Sequence, residues 1–389
     1  MHIVEIPSFF PPYGGEFCLE QSKALKALGH EVRILSNVQL SIKRSLKDFV
    51  AYPYGRWTET MDGVACYRSY QRGIPKVIRP NVRRWVSIVE RMFADYVRKY
   101  GKPDILHAHC AKWAGYAAMK LSKRYGIPYV VTEHLSLKIF EEEFGKAPTD
   151  AWQVPLLRQA YEKADKVVVV SEEWTDSVEC YFGKGYSWQC ISNIIDTDFF
   201  RYQQRESRGG RPFRFCCLAN NIPLKGYDVL LPAFDGMRHR ETELHIAGFG
   251  TDQADMKKQV AQLPASSRIV LHGRIEKNAI RELLYHCDAL VLASRSEVQP
   301  LCVLEAMSTG IPVVATESVP ECERFDGGCL IVPVDDKERL ADAMDRIMEM
   351  DFQDGEELSK KVSSIASPAT VAKQLETLFL KLQDERSEQ

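Results

Sequence analysis

The chain contains no apolar run approaching the roughly 20 residues that span a bilayer. Its opening residues, MHIVEIPSFF, carry neither a basic leader nor a long apolar stretch. They read as a first strand from His2 rather than as a secretory signal. None of the eleven cysteines forms a CxxC pair, so neither a zinc site nor a disulfide framework is signalled. The expectation is reduced thiols packed as small apolar side chains in a cytoplasmic protein. Tandem repeats at a solenoid period and low-complexity segments are absent as well. So are the GxGxxG and GxxxxGK[ST] fingerprints, which removes the dinucleotide and Walker-type phosphate loops. What remains is ordinary globular composition, 45% hydrophobic and 27% charged, over 389 residues, enough for two domains with separate cores.

Charge is unevenly spread. Residues 1–150 carry 23 basic against 15 acidic side chains, and residues 151–389 carry 28 against 38. Much of the basic excess lies between Arg72 and Lys102, where Trp85, Ile88, Val89, Met92, Phe93, Tyr96 and Val97 recur at helical spacing. That pattern is a surface helix with a core-facing stripe. Its basic face is also suited to an anionic lipid surface or an acidic acceptor, which would place the protein peripherally on the inner face of a membrane. A nucleic-acid partner is not expected.

Short apolar runs alternate with helical patterns throughout, the signature of α/β architecture with parallel strands. HIVEI, EVRILS, DILHAH, PYVVTEH and KVVVVS form a first set, and a helix ending at Gly29 follows the first of them. A second set is expected to begin with WQCISN at Trp188 and to continue through FRFCCLAN, ELHIAG, RIVLHG, ALVLAS, IPVVAT and GCLIVPV. Two such sets imply two Rossmann-like, doubly wound domains in series. The expected division is 1–190, rejoined by an amphipathic C-terminal helix at 369–389, and 191–368. The polar, turn-rich segment Trp188–Pro212 marks the boundary.

Ligands of open α/β sheets bind at the carboxyl ends of strands. The loop PSFFPPYGGEF after the first strand offers Gly14 and Gly15 to a phosphate or forms a plain turn. In CCLANNIPLKGYDVLL, Lys225 follows a strand and precedes a helix, where it meets a phosphate or simply faces solvent. His107 and His109 point to one face of their strand, with His109 nearer the loop. Metal ligation by the pair is disfavoured because no third ligand is signalled nearby. DTD at Asp196–Asp198 is read as a turn with helix-capping carboxylates rather than a metal site. In SEVQPLCVLEAMSTGIPVV, Pro300 breaks the segment, putting Glu297 in a loop and Glu305 in the following helix.

Gly14-Gly15, HAH at 107–109, LKG at 224–226, AGFG at 247–250 and above all E-x7-E followed by AM-x-x-G-x-PVV resemble glycosyltransferase family 4, along roughly Met1 to Leu382. The resemblance implies a GT-B fold, two Rossmann-like domains facing a central cleft. It also implies a retaining enzyme that takes a sugar from a nucleotide-diphosphate donor such as a UDP-sugar. It needs no metal or other cofactor and transfers a hexose to a glycan or lipid-linked acceptor in bacterial polysaccharide or envelope biosynthesis. Glu297 would face the donor sugar and Glu305 the ribose diol. Lys225, with backbone N–H groups at Leu301 and Cys302, would neutralise the diphosphate, and Arg274 and Ile275 would meet the base. Gly14 and Gly15 would approach the diphosphate, and His109 the sugar and acceptor. Two positions depart from the pattern. Asn220 stands where an arginine is usual, leaving Arg274, Arg295 and the arginines of the first domain as candidate substitute cations, and Val298 stands where a glycine is usual. A catalytically impaired homologue that binds nucleotide or glycan is the alternative.

Overall fold

The computed structural model describes residues 1–42, 45–145, 151–205, 208–350, 352 and 354–387. The chain divides into unit 1, Met1–Ile194 with Pro368–Gln389, and unit 2, Ile195–Ser367. The division falls slightly later than 190/191 because Ile191 and Ile194 pack into the unit 1 core with Ile3, Ile105, Val130 and Val168. Ile195 and Phe200 already belong to the unit 2 core.

Unit 1 holds an eight-stranded sheet of β1 (His2–Pro7), β2 (Glu31–Leu40), β3 (Arg56–Met61), β4 (Val64–Arg72), β5 (Ile105–His109), β6 (Tyr129–Glu133), β7 (Lys166–Val169) and β8 (Trp188–Cys190). Their spatial order is 3-4-2-1-5-6-7-8, with only β3 antiparallel to its neighbour. WQCISN therefore ends the first sheet instead of opening the second, since β8 pairs with β7. Unit 2 holds β9 (Phe213–Leu218), β10 (Thr242–Ala247), β11 (Ile269–Gly273), β12 (Ala289–Leu292), β13 (Val313–Thr316) and β14 (Cys329–Val332), all parallel in the order 11-10-9-12-13-14. That is the doubly wound dinucleotide-fold order. Strands buried on both faces need continuous apolar runs, and ALVL and VVAT are wholly buried.

The basic segment forms the helix Ile78–Tyr100, which buries Val82, Trp85, Val86, Val89, Met92, Phe93 and Tyr96. Arg72 does not share its surface. It is buried in β4, where its guanidinium donates to the carbonyls of Phe49, Tyr52 and Pro53. The eleven cysteines are all free, and no helix among the described residues is long and apolar enough to cross a membrane.

The C-terminal helix Pro368–Ser387 belongs to unit 1. Val371, Leu375, Leu378, Phe379 and Leu382 line one face and are buried with Ile3, Leu25 and Val32. His30 Nε2 lies 3.0 Å from Glu376, and Arg386 binds Asp165 at 2.9 Å, holding the helix near its middle and at its C-terminal end. Leu375 is fully buried, so Leu375→Ala should destabilise unit 1 by about 2–5 kcal/mol. Lys381→Ala on the exposed face should change stability by no more than about 0.5 kcal/mol. Denaturant midpoints of the two variants decide it; similar values would mean that the helix is not part of the core.

Candidate active site

In unit 2 the strand order reverses between β9 and β12, the place where such sheets open a crevice at their carboxyl ends. The loop after β9 closes with the short turn Pro223–Lys225 and Gly226 at φ 66°. A Cβ on Gly226 would lie 2.1 Å from the carbonyl oxygen of Ala293, so glycine lets this loop press against the end of β12. Arg295 N–H then donates to Leu224 O at 2.8 Å, joining the two loops. The result is that Lys225 Nζ donates to Glu297 Oε1 at 2.5 Å, with the side chains 21% and 10% exposed. Burial works against the lysine charge, but the Glu297 carboxylate outweighs it and raises the Lys225 pKa.

Pro300 precedes the helix Leu301–Ser308, which has no side-chain cap. The N–H groups of its first turn, at Leu301 and Cys302, have no intrahelical partner and point out of the helix start. Glu305, one turn on, is half-buried. Its carboxylate has no hydrogen-bond or ion-pair partner among the described residues, and burial pushes its pKa up to about 7 against the pull of Lys277. A half-buried carboxylate with open acceptor sites suits a diol, which brings two O–H donors. The two glutamates of the motif thus have opposite surroundings, one paired and one open.

Asn220 is exposed, and its Oδ1 accepts from the N–H of Phe249 at 2.9 Å, tying the loops after β9 and β10 together. It supplies no charge. Arg295 does not replace the missing cation, because its guanidinium is committed to Pro223 O, Asp228 at 2.7 Å and Asp335 at 2.7 Å. Arg274, with Ile275 in the loop after β11, is exposed and forms no ion pair among the described residues. Val298 is half-buried and Gln299 buried. DTD serves the backbone and one lysine: Asp196 accepts from Phe199 N–H at 3.1 Å and pairs with Lys277 at 3.0 Å.

In unit 1 the order reverses between β1 and β5. Gly14 and Gly15 take φ of 86° and 87°, and a Cβ on Gly15 would lie 2.1 Å from Phe9 O. The helix Glu16–Ala27 starts at Gly15 without a side-chain cap, so its first N–H groups remain available. His109 is not open to a ligand. It is buried, its Nε2 lies 2.8 Å from Glu5 Oε2, and its Nδ1 lies 3.2 Å from His134 Nε2. Interactions with His107 and His109 outweigh burial and hold the Glu5 carboxyl at a pKa of about 2. The charged carboxylate therefore accepts Nε2–H of His109, and His109 Nδ1 is left to accept Nε2–H of His134. Burial lowers the pKa values of both histidines, His134 the more strongly. His134 is half-buried and stacks on Phe17 with centroids 3.8 Å apart. Glu133 is spent on structure: it accepts from the N–H groups of Ala111, His134 and Leu135 and from the Tyr161 hydroxyl.

Glu5 is also the third ligand that the sequence did not signal. Its carboxylate and one nitrogen each of His107 and His109 lie within 4.8 Å of one another, a set that could hold a metal ion. His107 Nδ1 is 2.9 Å from Glu5 Oε2 but lacks hydrogen-bond alignment, and Glu5 Oε1 has no partner. All three residues are buried. The signal for Glu5 was one carboxylate inside an otherwise apolar strand.

Glu305 makes pH dependence a test. Its folded pKa is raised, so between about pH 4.5 and 7 the unfolded chain ionises first and stability falls as pH rises. Glu305→Gln should remove that loss, raising Tm more at pH 8 than at pH 5. A nucleoside diphosphate held by the charged carboxylate should bind more tightly as pH rises through about 7, and that slope should disappear in the variant. Identical Tm shifts at the two pH values would contradict the assigned burial of the charge.

The family description "Glycosyl transferases group 1" matches residues 198–366, and "Glycosyltransferase Family 4" matches residues 14–199. TuaC of Bacillus subtilis, a glycosyltransferase ascribed to teichuronic acid biosynthesis, is 26% identical over 331 residues, covering 80% of this chain and 78% of its own. Glycogen synthase of Mycobacterium tuberculosis is 26% identical over 340 residues, covering 81% and 78%. Among solved structures, sucrose-phosphate synthase of Thermosynechococcus elongatus superposes with TM-score 0.77 at 18% identity, covering 98% of this chain and 99% of its own. Anabaena HepE in complex with UDP gives 0.70 at 19%, covering 97% and 99%. These likenesses give the fold as GT-B. With each unit matched by its own family description, the chain belongs to glycosyltransferase family 4, the group 1 glycosyltransferases.

Proposed function

We propose that the chain is a retaining hexosyltransferase that moves a sugar from a nucleoside diphosphate, UDP being the first candidate, to a glycan or lipid-linked acceptor. Bacterial polysaccharide or envelope synthesis is the setting suggested by the name of the teichuronic acid relative. The observation that carries the reading is the grouping at the β9/β12 reversal: Lys225 on Glu297, an uncapped helix start, and the partnerless Glu305. HepE structures with UDP and with UDP-glucose support the donor class.

The bond that breaks joins the sugar anomeric carbon to the diphosphate oxygen, and the diphosphate leaves with the electron pair. The acceptor oxygen bonds to the same face of that carbon, and its proton passes to the departing phosphate. Lys225 would neutralise the charge that develops on the diphosphate, and the helix start at Leu301–Cys302 would add to it. Glu297, released from Lys225 by the donor, would accept hydrogen bonds from sugar hydroxyls, while Glu305 holds the ribose diol. Arg274 and Ile275 lie in the loop proposed to meet the base, and the Gly14-Gly15 loop is proposed to meet the diphosphate. His109 is assigned a positioning role through His134 in place of direct contact. This scheme draws all of its positive charge from the chain and routes no step through a metal or cofactor.

Asn220 favours a second reading, an impaired homologue that binds donor without turnover, because its amide brings no charge and its oxygen is committed to Phe249. Released UDP measured over a panel of UDP-sugars and acceptors separates the two. Lys225→Ala and Glu297→Ala should each lower turnover by about 10²–10³-fold. Unchanged rates would overturn the site, and UDP binding with no turnover would favour the impaired reading. Peripheral membrane contact is proposed at Ile74, Val77 and Ile78, which are exposed beside Lys76. Co-sedimentation with anionic vesicles should be lost when the three are replaced by serine.

A further inference from the structure

One face of unit 1 carries a groove of about 490 Å³ between the helices Ile78–Tyr100, Tyr116–Tyr125 and Val154–Glu162. Its floor is apolar, formed by Val82, Val86 and Leu156. Arg79 and Arg83 stand exposed on one rim, and neither forms an ion pair among the described residues. Trp152 faces them, with the Arg79 guanidinium carbon 5.0 Å from its ring centroid. Behind it Trp113 stacks on Trp152 at 5.7 Å with the planes 11° apart, which holds the indole in place. Tyr116 adds a third ring and a hydroxyl. Farther along, Lys120 is neutralised by Glu90 at 2.7 Å, so among the described residues the uncompensated positive charge lies at the Arg79 end.

We propose that this groove binds an anionic saccharide, a uronate or sugar-phosphate portion of the acceptor; the identification as acceptor rests on the transferase reading above. A pyranose ring presents a C–H face that packs on an aromatic ring while its hydroxyls point outward, and on Trp152 it would take the face that the Arg79 guanidinium now covers. The guanidinium fork matches a carboxylate or phosphate with two parallel N–H donors, and it is weakly enough hydrated to work beside aromatic rings. Arg79 and Arg83 lie on one helix at the spacing that places side chains side by side, so a single anionic group can meet both. A neutral glycan would leave two unpaired cations over the groove, and a long acyl chain would have to cross that charged rim. Position agrees with chemistry. Arg79, Tyr116 and Leu156 sit in the first turns of helices that follow β4, β5 and β6, so by topology the Arg79 end lies at the carboxyl edge of the sheet. The Gly14-Gly15 loop and His134 lie at that same edge of unit 1.

The test uses the full chain and calorimetric titration with tetragalacturonate, with cellotetraose as the neutral counterpart and UDP titrated in parallel. Tetragalacturonate should bind at least about tenfold more tightly than cellotetraose. The double variant Arg79→Ala/Arg83→Ala and the single variant Trp152→Ala should each weaken it by about tenfold or more. Arg98→Ala, on an exposed turn of the same helix, should not. Equal affinity for the neutral sugar, or unchanged affinity in both groove variants, would overturn the proposal. So would equally tight binding of polyphosphate or of anionic vesicles that the same substitutions abolish, because the groove would then be an unselective charged surface. UDP affinity should be untouched by the groove variants. Failure of wild-type protein to bind UDP would count against the transferase reading alone, whereas UDP binding without tetragalacturonate binding would count against the groove alone.

Discussion

Parallel strands joined by right-handed crossovers can be wound in two directions from a starting strand, and where the direction changes, two neighbouring loops diverge to opposite faces. Both sheets of this chain change direction once, beside β1 in unit 1 and beside β9 in unit 2. Everything chemical in unit 2 hangs on that divergence. Lys225 and Glu297 come from loops 72 residues apart and meet because β9 and β12 are neighbours. The equivalent place in unit 1 brings Glu5, His109 and His134 together from three adjacent strands and their ends.

The two clusters handle buried charge differently. Glu5 sits where water does not reach, and the histidines that surround it keep it ionised. That arrangement fixes imidazole tautomers and is costly to disturb. Lys225 and Glu297 retain some exposure and neutralise each other. Glu305 has no such partner among the described residues, and burial pushes its pKa up to about 7.

Much of this was legible because parallel strands and amphipathic helices are local patterns. KVVVVS, ALVLAS and the stripe Val371, Leu375, Leu378, Phe379, Leu382 declare their burial without reference to the rest of the chain. The motif around Glu297 and Glu305 was legible for the same reason, since Pro300 shows where the loop stops. The hairpin β3–β4 was not. Half of β3 faces solvent, and β4 buries Arg68, Gln71 and Arg72, which donate to the carbonyls of Pro11, Asn81 and Phe49, while Arg68 Nε has no partner among the described residues. The sheet to which WQC belongs was equally hidden, because strand pairing is not a property of the strand alone. His109 was placed on the right strand, but its exposure depended on Glu5, more than a hundred residues earlier. Of the loops Gln39–Thr58 and Ser136–Thr149, which match no motif, residues 43, 44 and 146–149 lie outside the described residues.

The helix Pro368–Ser387 has a consequence for how the molecule is made. Unit 1 is encoded in two pieces with the whole of unit 2 between them. During synthesis the first 194 residues emerge with the apolar surface of Ile3, Leu25, Val32 and Ile105 still waiting for its cover. Unit 2 has a continuous sequence and can complete its core while the ribosome is still working. The domain begun first is therefore finished last, and a chain released just short of Pro368 holds a complete unit 2 beside a unit 1 that presents an open apolar face.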